Sequence, residues 1–276
     1  MPHANINGAD LFYDEDGKGE PIIFHHGYTG AHDAWWDLIT PRLRDRYRCI
    51  VMDCRGAGDS SHPESGYSIE QYARDVVGMA DFLGLNTFTY CGHSMGGVVG
   101  MELGIHHATR LNKLILVAPA PADGVQQPPE LFERSRRLRN ERAREKMIRE
   151  RTIMAAREPN PERIALSVDR ALSVSDGHFE QSWQDLVDSR RGDRLGEIKT
   201  PTLMTAGAAD GLLASNLKDF QRLPNATLHV FSRVGHGVPS DVPDEFAEVV
   251  ADFMQEGVVT AATLMGRLQQ AAAAAR

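Results

Sequence analysis

Ser94 stands in Gly92-His93-Ser94-Met95-Gly96-Gly97, with Phe88-Thr89-Tyr90-Cys91 ahead of it and Val98, Val99, Met101, Leu103 and Ile105 behind. A serine hydroxyl is a poor nucleophile until a base takes its proton and N–H donors wait for the developing oxyanion. A Gly-x-Ser-x-Gly turn between a strand and a helix meets part of both needs. Its glycines let backbone crowd where a Cβ would clash, so the serine can stand exposed on a strained turn. The helix that follows aims free N–H groups and a positive dipole end back at the reacting centre. The β-prone run before Ser94 and the buried-helix spacing after it supply the required context.

A base and an orienting acid must then sit at strand ends on the same edge of the sheet. His236 lies in Arg233-Val234-Gly235-His236-Gly237, just after an apolar run, with a glycine on each side to aim the ring. Asp210 lies in Ala206-Gly207-Ala208-Ala209-Asp210-Gly211, just after the preceding run. The order Ser94, Asp210, His236 therefore predicts nucleophile, acid and base. Asp123 competes as the acid because it too follows a strand end, but the Gly207-x-x-Asp210 setting favours Asp210. The oxyanion donors are expected to be the N–H groups of Met95 and of Tyr28, in His26-Gly27-Tyr28. One such donor is worth about 3–4 kcal/mol of transition-state stabilisation.

Three residues are candidates for contact with a substrate: His25, Trp35 and Trp183. His25-His26 serves equally well as a structural pair whose rings bond loop carbonyls, and core packing is the default for each tryptophan. Neither His25-His26 nor His106-His107 belongs to an H-E-x-x-H or comparable ligand pattern, so no metal and no cofactor is expected.

The elements that must position these groups follow a rhythm. Leu11-Phe12-Tyr13 predicts a short first strand, Pro21-Ile22-Ile23-Phe24 a strand buried on both faces, and residues 34–43 a helix with Trp35 and Trp36 near its start. Arg48 to Asp53 predicts another strand. Ser68-Ile69-Glu70-Gln71 is a capping box, stapled by Tyr67 and Tyr72, for a helix that Gly84 stops. Strands follow at 88–91, 113–117, 201–205 and 227–231, and an amphipathic helix at 241–256. Such alternation implies a parallel sheet covered on both faces. The rhythm breaks from about residue 128 to 191, which holds charged, arginine-rich, proline-punctuated helical sequence and no convincing strand. The alanine-rich stretch 260–276 is helix-prone.

With 276 residues, 42% apolar and 25% charged, the chain can bury one large α/β core plus an insertion. Its net charge of −8 argues against a nucleic-acid partner. Three cysteines form no paired framework, and the sequence offers neither a signal-peptide pattern nor a membrane-length apolar run. The expectation is a cytoplasmic protein, a possible homodimer, with a small-molecule substrate and no membrane partner.

His26-Gly27, Asp53-x-Arg55-Gly56-x-Gly58-x-Ser60, Gly92-His93-Ser94-Met95-Gly96-Gly97, Gly207-x-x-Asp210 and Gly235-His236 together resemble the α/β-hydrolase superfamily. The resemblance spans nearly the whole chain apart from the insertion and the last few residues. It implies a mostly parallel eight-stranded sheet with a helical cap inserted after the sixth strand. The core would be 1–123 and 197–276, and the cap 124–196. Serine at 94 departs from the branches similar to epoxide hydrolases and haloalkane dehalogenases, which carry aspartate there. The expected activity is cofactor-free cleavage of a small carboxylic ester or lactone through an acyl-enzyme. Carbon–carbon bond hydrolysis, haloperoxidase-like chemistry and non-catalytic ligand binding are compatible with the same residues. The cap arginines Arg134, Arg136, Arg137, Arg139, Arg142 and Arg144 could meet an anionic substrate or simply form a solvated, ion-paired face.

Overall fold

The continuous apolar runs form the centre of one eight-stranded sheet. In the computed structural model, which describes residues 2–274, the strands are β1 (His3–Ile6), β2 (Ala9–Asp16), β3 (Glu20–His25), β4 (Tyr47–Met52), β5 (Phe88–His93), β6 (Leu111–Val117), β7 (Thr202–Gly207) and β8 (Ala226–Phe231). They lie in the order β1-β2-β4-β3-β5-β6-β7-β8. β2 is antiparallel to both neighbours, and every remaining pair is parallel.

Alternate residues of the central strands feed two separate cores, as a period of two requires. Ile23, Ile50, Tyr90, Leu114 and Leu116 pack with α2 (Ile69–Phe82) and α3 (Met95–His106). Ile22, Phe24, Val51, Cys91 and Ile115 pack with α10 (Pro243–Glu256). α1 (Thr40–Leu43), α8 (Leu213–Phe220) and α9 (Val238–Asp241) complete the sheet's cover, and α11 (Ala261–Ala274) follows with Leu264, Met265 and Leu268 exposed.

The caps act as the sequence requires at α2. Ser68 accepts the Gln71 N–H at 3.2 Å, Tyr67 and Tyr72 are buried, and Gly84 takes the left-handed conformation. Its N–H and that of Leu85 bond back to Asp81 and Ala80, a Schellman stop. The Gln71 side chain turns to Asp75 instead of closing the box.

Two expectations change. Leu11-Phe12-Tyr13 belongs to the second strand, because Asn7 (φ 50°) and Gly8 (φ 78°) make a two-residue hairpin that adds β1 in front of it. The helix expected at 34–43 is present, but its turn Trp35–Ile39 is π-helical before it runs into α1.

Between β6 and β7 the described residues hold no strand. They form α4 (Pro129–Asn140), α5 (Arg144–Ile153), α6 (Pro161–Ser173), a π-helical turn at His178–Ser182, and α7 (Trp183–Asp188). No helix among the described residues is long and apolar enough to cross a membrane.

Candidate active site

Ser94 links β5 to α3 with φ 56° and ψ −112°, a conformation that costs roughly 1–3 kcal/mol for a residue with a side chain. The surroundings over-determine it. The Ser94 N–H bonds the Val117 carbonyl at 2.9 Å, and the Ser94 carbonyl accepts from Ala120 at 3.1 Å. A Cβ on Gly92 would collide with the Gly96 carbonyl, and one on Gly96 would lie 2.8 Å from the carbonyl oxygens of both His25 and His26. The turn is possible only because both positions are glycine.

Two loops bring Asp210 and His236 to it. Ala208 and Ala209, after β7, donate their N–H groups to Phe231 and Val234 at 2.9 and 2.8 Å, stitching the two loops together. Gly207 admits the Val234–Gly235 backbone where a side chain would block it. The Ser94 hydroxyl then donates to His236 Nε2 at 2.9 Å, and His236 Nδ1 donates to Asp210 Oδ2 at 2.8 Å. Burial alone would raise the Asp210 carboxyl, but the hydrogen bond and charge of His236, with the Leu212 N–H, hold it below the usual range. Ser94 is half-buried, the Asp210 side chain is 5% exposed and that of His236 is 41% exposed.

His93 is an addition that sequence reasoning missed. Its Nε2–H donates to the His236 carbonyl at 2.8 Å, and burial, with His236 close by, pushes its pKa down to about 3. The ring is therefore neutral and steadies the backbone of His236. Its place beside Ser94 in the motif was the available signal.

Asp123 is elsewhere. Its carboxylate accepts from Lys218 at 2.7 Å and Arg222 at 2.9 Å, and these bonds hold its pKa down. The structure brings it to neither His236 nor Ser94.

The loop after β3 passes against the serine: a Cβ on Gly27 would lie 3.1 Å from Ser94 Cβ. Gly27's carbonyl accepts from His26 Nδ1–H at 2.7 Å and from the Gly30 N–H at 3.0 Å. In a trans peptide the N–H opposes the carbonyl, so these bonds turn the Tyr28 N–H the other way. Among the described residues neither that N–H nor that of Met95 has a hydrogen-bond partner.

His25 and Trp35 are corrected as substrate contacts. His25 is fully buried, stacked on His26, with Nδ1 bonded to the His26 carbonyl at 3.1 Å. Burial and its neighbour push its pKa to about 3. Trp35 is 1% exposed and packs between Phe24 and Phe246, on the α10 side of the sheet. Residue type told nothing of which face the π-helical turn would choose. Trp183 is half-buried, stacked on Phe132 and against Tyr28, and lines a cavity of about 290 Å³ with Val125 and Val187. A second cavity of about 260 Å³ reaches Gly211 and Leu212, next to Asp210. Neither has Ser94 in its wall, and both lie against Val125 and Gln127.

Four of the six arginines singled out above are paired: Arg134 with Glu150, Arg136 with Glu133 and Glu180, Arg139 with Asp176, Arg144 with Asp169 and Glu145. For these the ion-paired face is the better description. His32, Asp53 and Asp59 lie close enough to hold a cation. The buried Asp53 carboxylate, however, already accepts from His32 N–H, His32 Nδ1 and Asp59 N–H at 2.7–2.8 Å, and Asp59 accepts from Arg170. The donor set fits a hydrogen-bonded brace better than a metal.

A family profile described as the alpha/beta hydrolase fold matches residues 20–241. The chain is 29% identical to a protein of Azorhizobium caulinodans provisionally named a carbamate hydrolase, covering 93% of this chain and 99% of that one. It is 28% identical to a 2-hydroxy-6-oxononadienedioate/2-hydroxy-6-oxononatrienedioate hydrolase of Dechloromonas aromatica, over 88% of this chain and 90% of the relative. Among solved structures, Est816, an N-acyl homoserine lactone degrading enzyme, superposes with a TM-score of 0.78 at 28% identity, covering 91% of this chain and 100% of that one. Two of these are named hydrolases, and the three names carry different substrates.

Proposed function

The chain belongs to the alpha/beta hydrolase family, and on that footing we propose that it cleaves a small carboxylic ester or lactone as a serine hydrolase. The observation that carries the reading is the unbroken hydrogen-bonded line from Asp210 through His236 to Ser94, at 2.8 and 2.9 Å. Ser94 Oγ attacks the substrate carbonyl as its proton passes to His236 Nε2. Asp210 holds the Nδ1–H and stabilises the imidazolium. The tetrahedral oxyanion sits between the N–H groups of Met95 and Tyr28, and His236 returns the proton to the leaving oxygen. Water then enters by the same steps in reverse and frees the acid. The electron pair of the broken bond and the shuttled proton leave on the substrate's oxygen, and water supplies the second proton, so the reading calls on no metal or cofactor.

The test is a burst assay with p-nitrophenyl acetate beside labelling by a fluorophosphonate. Ser94→Ala should abolish both while leaving the fold intact. Equal labelling of wild type and variant would move the nucleophile elsewhere. A panel of short acyl esters, lactones and dienone acids on the wild type then ranks the substrate classes.

A further inference from the structure

His178 sits in the π-helical turn between α6 and α7, with no exposed surface, and the cycle above gives it no part. Its partners come from distant chain. Nε2–H donates to the Tyr28 carbonyl, 150 residues away, and Nδ1 meets the Tyr72 hydroxyl of α2 at 2.8 Å, 106 residues away. A carbonyl only accepts, so Nε2 carries the proton. Burial keeps the ring neutral, with its pKa pushed down to about 4, so Nδ1 is the acceptor and Tyr72 the donor.

The turn itself is bolted to the core. The Ser175 N–H donates to the Gly56 carbonyl at 2.8 Å, and Ser175 Oγ accepts the His178 N–H at 3.0 Å. Gly56, at φ 78°, leaves room that a Cβ would fill 2.6 Å from Ser175 Oγ and 2.8 Å from His178 Cβ. On the far side Tyr28 is gripped again. Its hydroxyl donates to the Phe179 carbonyl and its ring stacks on His178 at 5.8 Å and 16°.

Two imidazoles thus hold two successive peptide planes. His26 fixes the Gly27 carbonyl, and so the plane that carries the Tyr28 N–H, while His178 fixes the next plane through the Tyr28 carbonyl. Rotation about the Tyr28 Cα would break one bond or the other. A leucine or phenylalanine would fill the volume of His178 without desolvating an imidazole, but it would leave the carbonyl unheld.

We propose that His178 is a positioning residue for the oxyanion side of the site, by which the helical segment between β6 and β7 aims the Tyr28 N–H. The proposal rests on the serine-hydrolase reading above.

The experiment compares wild type, His178→Ala, His178→Gln and Tyr72→Phe by three readouts: p-nitrophenyl acetate kinetics, inhibition by phenylboronic acid, and thermal melting. Boronic acid becomes tetrahedral on the serine and so reports the oxyanion donors. Removal of a donor outright costs 10²–10³ in kcat, so mis-aiming one should cost about 10–100-fold. The expected result is that fall in kcat for His178→Ala, with KM within about threefold and boronate affinity lost by a similar factor. His178→Gln, which keeps a donor and an acceptor, should recover part of it. Tyr72→Phe should fall about 3–10-fold, and it serves as the decisive variant if His178→Ala does not fold. The pH midpoint of the reaction should not move, because His236 and Asp210 are untouched. Folded His178 and Tyr72 variants with kcat and boronate affinity within twofold of wild type overturn the proposal and leave the serine-hydrolase reading standing. A wild type that is neither acylated nor inhibited at Ser94 overturns both.

Discussion

The two halves of the site are built from different parts of the molecule. The half that would transfer protons on the proposed reading comes wholly from the sheet ends: Ser94 and His93 at the end of β5, Asp210 after β7, His236 after β8, joined by bonds of 2.8–2.9 Å. The segment between β6 and β7 supplies none of it. The oxyanion half proposed above would take one N–H from Met95, on α3, and the other from Tyr28, whose ring, hydroxyl and carbonyl all meet His178, Phe179 or Trp183. The helical segment between β6 and β7 is thus tied to the groups that, on the proposed reading, would stabilise the transition state. Changes in it should leave the serine able to lose its proton while weakening what happens next.

The largest effect should come from the proton-transfer half. Asp210→Asn offers His236 an amide in place of a carboxylate, favours the wrong tautomer, and should lower kcat by about 10⁴. Asp123→Asn should change kcat by less than about threefold, because that carboxylate serves Lys218 and Arg222. Steady-state kinetics on both variants decide it. A reversal of the two costs would mean that the 2.8 Å contact of Asp210 with His236 is not the one the reaction uses.

Acid should separate the halves next. His93 on the proton-transfer side has its pKa pushed to about 3, and His178 on the oxyanion side to about 4, against 6.5 when unfolded. Between pH 6 and pH 4 the unfolded chain therefore takes up protons that the folded chain refuses. Stability falls as pH falls, by up to about 1.4 kcal/mol per pH unit for each such histidine. Asp210 acts in the same direction but lower. Its depressed carboxyl contributes stability that is lost only as pH drops through its folded value, beneath the ordinary carboxylate range. Denaturant melts at pH 7, 6, 5 and 4.5 should show His93→Gln and His178→Gln each flattening the wild-type slope by about one histidine. Flattening by His93→Gln alone would mean that the segment carrying His178 lifts from the core before the protein unfolds.

The same division governs what the sequence could tell. The contacts of Ser94, His236 and Asp210 were legible because two of the three turns need glycines at fixed offsets, Gly92 and Gly96 around Ser94 and Gly207 before Asp210. Local chemistry and local spacing coincide there. The central strands β3 to β7 were legible because both their faces are buried, which demands continuous apolar runs. Trp35 and His25 misled because side-chain type carries no address. One faces the α10 core and the other lies under the nucleophile turn. β1 had a signal in Asn7-Gly8, but its value depends on the strand it pairs with. His178 had no signal. Its role comes from contacts with residues 28 and 72, and only the folded chain puts them together.

The smallest effect should come from another attachment of the helical segment. Arg170 on α6 holds Asp33 by two bonds of 2.8 and 2.9 Å and Asp59 by one of 2.7 Å, reaching the same core loops from outside. These are partly exposed charges, with the Arg170 side chain 20% exposed and those of Asp33 and Asp59 17% and 34% exposed. Such pairs contribute about 1 kcal/mol or less and weaken in salt, whereas the His178 bonds are buried and uncharged. Arg170→Gln should therefore lower Tm by about 2–4 °C, the shift expected for roughly 1 kcal/mol in a domain of this size. It should leave kcat for p-nitrophenyl acetate within about threefold of wild type. One molar salt should reproduce the small kinetic effect in the wild-type protein. A loss of kcat in Arg170→Gln as deep as that in His178→Ala would show that holding α6 to the core, rather than fixing the Tyr28 carbonyl, is what seats the oxyanion loop.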